Sequence, residues 1–193
     1  MKTYIAQALF KSYSYPEYRK LMADLLIEGK STAVEQTEER THYSELNETR
    51  MHRLDKTIKI TEENATVLKN LSKSYLWLVL TESWCGLNKM ALESNKKIEL
   101  KLALRDENEE LMNHFLTNES KAIPKLIILD KTTGNVVGNW GPRPQGAIDL
   151  IENYKEKFGV IDETAKTELQ LWYLHDKGLS TQNEIIRLLQ DLE

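Results

Sequence analysis

The sequence predicts an α/β fold: a mixed sheet of four or five strands, with helices on both faces and helical extensions at both ends. Three observations carry that prediction. Leu76-Trp77-Leu78-Val79-Leu80 is apolar at every position, as a strand buried on both faces requires. Ile98, Leu100, Leu102 and Leu104 alternate with Glu99, Lys101 and Ala103, which reads as a strand with one wetter face. Two further runs, Leu126–Leu129 and Val136–Trp140, flank the turn Lys131-Thr-Thr-Gly-Asn135 and read as a hairpin.

Helical periodicity fills the remainder. Tyr18, Leu21, Met22, Leu25 and Leu26 share one face of a helix that Pro16 opens and Gly29 closes. After the polar connector 30–38, Tyr43, Leu46, Met51, Leu54 and Ile58 form the stripe of a longer helix. Tyr4, Phe10, Tyr13, Tyr15 and Tyr18 are expected to pack this N-terminal part on the main domain. Thr61 can cap a short helix carrying Leu68 and Leu71. Asp106 can cap another through Leu111, Met112, Phe115 and Leu116. Ile148, Ile151, Tyr154 and Phe158 mark a helix that Gly159 ends. Beyond Asp162 come two more: one carries Ala165, Leu169, Trp172 and Tyr173 and stops at Gly178, and one starts at Ser180 or Thr181 and carries Ile185 to Leu192. The organisation expected is an N-terminal helical extension over 1–60, a main domain over 61–159 and a C-terminal helical extension over 160–193.

Composition narrows the function classes. The 193 residues are 40% hydrophobic and 29% charged, with a net charge of −4. No basic block addresses nucleic acid or anionic lipid, no run approaches the ~20 apolar residues of a membrane span, and the first residues do not read as a signal peptide. A single cysteine excludes an intramolecular disulfide and fits a reducing, cytoplasmic setting. His42, His52, His114 and His175 do not form metal-ligand spacings, and no cofactor motif is present.

The chemistry centres on Trp84-Cys85-Gly86. Cys85 follows a buried strand, and if Gly86 opens a helix, the free N–H groups there favour a thiolate and lower its pKa. Ile123-Pro124 opens the hairpin some forty residues later. With the stretches LVLTESWCG, LALRDENEELMNHFL, AIPKLIILD and NWGPRP, residues 61–159 resemble a thioredoxin domain, in particular bacterial thioredoxin-like proteins with helical extensions at both ends. The resemblance implies a thioredoxin fold in which Cys85 is the attacking thiol, Trp84 an aromatic wall, and Gly86 a point of close backbone approach. It makes Pro124 a cis-proline and Ile123 the donor of substrate-binding backbone.

Departures from the family pattern qualify the reaction. Asn88 stands where Cys-x-x-Cys has its second cysteine, so only an outside thiol can release a mixed disulfide at Cys85. The implied partner is a cysteine-containing protein or a low-molecular-weight thiol. Val79 stands near the position of the family's buried acid; Glu82 could substitute if it faced Cys85, and is otherwise a solvated loop charge. The stiff turn Trp140–Pro144 reads mainly as structural, and Arg143 is the residue in it that could meet a ligand. The crossover is also short. A helix over most of Leu87–Lys97 is ~13 Å long against a ~20 Å strand, and relatives carry roughly two more turns, so a break or omitted stretch is expected between Gly86 and Leu87. The expected function is single-thiol exchange in cell redox homeostasis; the alternative is a non-catalytic thioredoxin-fold interaction module.

Overall fold

A computed structural model describes residues 1–85 and 95–193. Gly86 and the expected break after it lie outside the described residues. In chain order the elements are α1 (Thr3–Phe10), α2 (Tyr15–Ile27), α3 (Glu38–Thr57), α4 (Glu62–Lys69), β1 (Tyr75–Thr81), β2 (Ile98–Leu104), α5 (Glu109–Asn113), β3 (Lys125–Asp130), β4 (Val136–Trp140), α6 (Gln145–Phe158), α7 (Glu163–Asp176) and α8 (Leu179–Leu192).

Four strands form one mixed sheet in the order β2-β1-β3-β4. β1 runs parallel to β2 and antiparallel to β3, and β3 pairs antiparallel with β4. Register places Leu100, Trp77 and Ile128 side by side, and likewise Leu102, Val79 and Leu126. Because strand side chains alternate, these six face one layer and their neighbours face the other. The first layer joins Tyr18 and Met22 of α2, Met51 of α3, Leu68 of α4 and Ile185, Ile186 and Leu189 of α8. The second joins Leu78, Leu80, Ala103, Ile127 and Leu129 to Ile5 and Ala8 of α1 and Leu111 and Met112 of α5.

The ends of the helices follow local chemistry. Ser14 and Glu17 form a capping box at α2, and Thr37, Thr61 and Asp162 cap α3, α4 and α7. α2 is fastened to α3 by Arg19, which pairs with Glu48 at 2.5 Å and Asp55 at 2.8 Å. α8 is fastened to the segment before α4, where Gln182 Nε2 donates to Lys59 O at 3.0 Å.

Several local expectations are corrected. Asp106 does not cap α5; Asn108 precedes that helix, and the Asp106 carboxylate accepts from Arg105 at 2.8 Å instead. Phe10 is 91% exposed and belongs to neither core cluster of the described residues. On α3, Tyr43 and Leu46 are exposed while Ser44, Asn47 and Met51 are buried. The inward face is rotated from the apolar stripe because it meets main-chain polar groups, which call for polar partners.

α8 contributes three fully or nearly buried side chains to the same layer as the sheet. Leu189→Ala should therefore cost about 3 kcal/mol of unfolding free energy, within the usual range for a buried leucine. Urea titration checks this; a loss below about 1 kcal/mol would show that α8 is a detachable appendage.

Candidate functional site

Strand pairing brings the two predicted segments together. β1 ends at Thr81, and β3, antiparallel to it, begins opposite Leu80 with Lys125. The chain leaving β1 toward Cys85 and the chain arriving through Ile123-Pro124 thus share one end of the sheet. The Ile123–Pro124 and Gly141–Pro142 peptide bonds are cis. Gly141, at φ +115°, approaches Pro124 so closely that a Cβ would lie 2.2 Å from its carbonyl oxygen. That position is closed to any side chain, so the loop after β4 seats against Pro124.

Trp84, Cys85, Ile123 and Pro124 all line one cavity of about 480 Å³. Its floor is the first sheet layer, with Trp77, Val79 and Leu126. Its walls come from α3, from the loop Trp140–Pro144, and from α7 and the start of α8. Arg143 lines it too. Among the described residues no group of three or more His, Cys, Asp or Glu side chains is placed to hold a metal ion.

Residues 82–85 form a turn in which Cys85 N–H donates to Glu82 O at 2.8 Å. The N-terminal part of the chain holds this turn. Asn47 Nδ2 donates to Ser83 O at 2.7 Å and to Cys85 O at 2.6 Å. Thr32 N–H donates to Ser83 Oγ at 3.0 Å, and Ser83 N–H returns to Thr32 Oγ1 at 2.9 Å. Ser44 and Ser83 hydroxyls share a hydrogen bond at 2.7 Å. Trp84 meets two cations: the Arg40 and Arg105 guanidinium carbons are 5.6 and 5.7 Å from its ring centre.

Glu82 is no solvated loop charge, as the sequence had suggested; it is fully buried. Its carboxylate accepts from the Thr32 hydroxyl and from Asp106 N–H, the latter at 2.9 Å. Burial raises its pKa from 4.5 to about 7, and those hydrogen bonds oppose the rise without cancelling it.

Cys85 is 6% exposed. Burial pushes its thiol from 9.0 up to about 12. The Thr81 side chain and the Glu82 main chain work the other way, while the Glu82 charge adds to the rise. Thr81 Oγ1 itself is buried without a partner in hydrogen-bonding geometry, so its help to the thiolate is slight. The lowered pKa expected at a helix start is corrected: desolvation disfavours the charged form and dominates here. Lys125, which sequence reading passed over inside an apolar strand, is also buried. Its Nζ donates to Thr117 Oγ1 at 2.7 Å and Gly141 O at 3.1 Å, and burial lowers its pKa.

A family model described as Thioredoxin matches residues 33–155. The chain belongs to the thioredoxin family. The match begins ahead of α3, so it takes in the helix that holds the Cys85 turn in this thioredoxin-family chain. Among solved structures, an HIV epitope-scaffold superposes with a TM-score of 0.56 at 18% identity, covering 93% of this chain and 99% of its own. A protein of unknown function from Pseudomonas aeruginosa gives 0.55 at 18% identity, covering 94% and 99%. These similarities speak to fold. No curated protein matches the chain. No helix among the described residues is long and apolar enough to cross a membrane.

Two predictions follow from the turn. Asn47→Ala leaves two buried carbonyls short of a donor and should cost about 2–4 kcal/mol by urea titration. Glu82→Gln tests the buried carboxyl. The folded value lies above the unfolded one, so its stabilising proton is fully held below pH 4.5 and is lost as pH rises through 7. Wild type should weaken on the order of 3 kcal/mol across that window from this group. Glu82→Gln should therefore be more thermostable than wild type at pH 8 and no better at pH 4; equal melting temperatures at pH 8 would refute the assignment.

Proposed function

We propose that this protein takes part in thiol–disulfide exchange as a single-thiol member of the thioredoxin family. The observation that carries the reading is the convergence of Cys85, Trp84, Ile123 and Pro124 on one cavity. In the first step the Cys85 thiolate attacks a disulfide R–S–S–R′, forming Cys85–S–S–R and releasing R′S⁻, which takes up the proton. With one cysteine in the chain, an outside thiol then attacks the mixed disulfide, carries R away as a new disulfide and returns Cys85 to the thiol. The outside thiol is a cysteine-containing protein or a low-molecular-weight thiol. A cytoplasmic setting, which keeps thiols reduced, suits this cycle.

The buried thiol sets the rate. Moving a thiol from 9 to about 12 reduces the thiolate at neutral pH about 1,000-fold, and the higher nucleophilicity of the stronger base returns only part, for exchange roughly 40-fold slower. That same burial favours a second reading, a thioredoxin-fold interaction module that uses the groove and not the thiol.

Iodoacetamide labelling of Cys85 should rise about tenfold per pH unit and reach no plateau below pH 11. Disulfide reduction should be negligible with the protein alone, slow but catalytic with added glutathione, and absent for Cys85→Ser. No reduction in either condition would discard the exchange reading in favour of the interaction module. Fast turnover without added thiol would refute the single-thiol cycle.

A further inference from the structure

The cavity beside Cys85 contains cations that the exchange reading does not use. Arg50 and Arg53 reach it from α3 and Arg143 from the loop after β4. Elsewhere Arg19, Arg40 and Arg105 each face a carboxylate. Among the described residues Arg50, Arg53 and Arg143 have no carboxylate partner, and no Asp or Glu lines the cavity. The nearby acids are committed: Glu184 accepts from Trp140 Nε1 at 2.8 Å and Gln145 N–H at 2.7 Å, and Asp176 accepts from Ser180 N–H at 3.1 Å.

Three uncompensated guanidinium groups around one concavity repel one another and attract anions, the more so where low-dielectric walls focus the field. Guanidinium forks match carboxylate and phosphate oxygens two at a time. Trp77 lies on the floor of the cavity. The volume of about 480 Å³ lies in the range of small-molecule sites. Trp84 and Trp140 supply flat apolar wall.

We propose that this cavity binds a small organic anion carrying at least two acid groups, held by Arg50, Arg53 and Arg143. Binding does not use the thiol, so the proposal stands apart from the exchange reading. Where the acid groups are carboxylates the ligand belongs with the polycarboxylic acids or acidic peptides; where one is a phosphate, with the phosphate esters.

The test is calorimetric titration of the full chain, at low and at 150 mM salt, with three probes: citrate, 3-phosphoglycerate and S-methylglutathione, a dicarboxylate peptide with no free thiol or disulfide. Tryptophan fluorescence reports in parallel, because Trp77, Trp84 and Trp140 border the site. At least one probe should bind with a Kd of 1 mM or tighter, more weakly in the higher salt. Preference between citrate and 3-phosphoglycerate assigns the acid group. Arg143→Ala and Arg53→Ala, both at exposed positions, should each weaken binding at least fivefold, and the triple variant with Arg50→Ala should abolish it. Arg187→Ala, an exposed arginine outside the cavity, should change nothing. Circular dichroism checks that each variant is folded, and the two exposed single variants decide the matter if the triple variant is not. No binding of any probe at 10 mM overturns the proposal, as does binding indifferent to the arginine variants. Because heat and fluorescence are read without thiol chemistry, an inert Cys85 leaves this inference standing, and a failed titration leaves the exchange reading untouched.

Discussion

The Glu82–Cys85 turn is the constraint on which the rest of the site depends. It leaves a buried strand and remains buried, so its carbonyls, amides and one carboxylate must find partners within the protein. The sheet cannot supply them, because β1 has ended. α3 and the connection before it do so: Asn47 takes two carbonyls, Thr32 and Ser83 exchange reciprocal hydrogen bonds, and the Thr32 hydroxyl reaches Glu82. The N-terminal helices are thus part of the apparatus that positions the thiol. The same helix then turns its next face to the cavity. Residues 43, 50 and 54 lie one step around α3 from residues 44, 47 and 51, so one element holds the turn and walls the cavity.

Holding the turn so tightly has a chemical consequence. Packing that fixes the sulfur also strips it of water, and desolvation outweighs the Thr81 and main-chain groups that favour the thiolate. Glu82 works in the same direction: when ionised, it raises the cost of a second negative charge nearby. Protonation of Glu82 near neutrality removes that repulsion, while falling pH removes the thiolate itself. The two effects oppose each other in this range, and the thiolate loss is the larger because it runs at a full decade per pH unit.

The fold was legible because its signals are periodic. The uninterrupted run in β1, the alternation in β2 and the hairpin turn before β4 each correspond to an observed strand. Cys85 and Pro124 line one cavity, and antiparallel pairing of β1 with β3 brings their segments to the same end of the sheet, an arrangement the family pattern suggested. What sequence reading missed is polar and buried. Ser44 and Asn47 sit three apart, followed at the proper interval by Met51, which is core spacing on a helix; hydrophobicity alone skips them. Glu82 carries no sign of burial in its neighbours, since its partners Thr32 and Asp106 lie 50 and 24 residues away. Lys125 is hidden for the same reason: its acceptors come from a separate loop and from the residue after β4.

Charge is divided between two tasks at this site. Arg40 and Arg105 both lie over the Trp84 ring, and Arg105 is the cation that bears on the Cys85 thiol. Both are tied to carboxylates, so neither presents a free charge to a ligand. Arg50, Arg53 and Arg143 line the cavity without such partners. Had they stood against the sulfur, they would have favoured its thiolate, as a neighbouring cation does. Instead the sulfur stays protonated while the cavity stays positive. An electropositive pocket beside a neutral thiol is suited first to holding an anionic molecule. It is suited to reacting with one only when that molecule brings a disulfide within reach of Cys85.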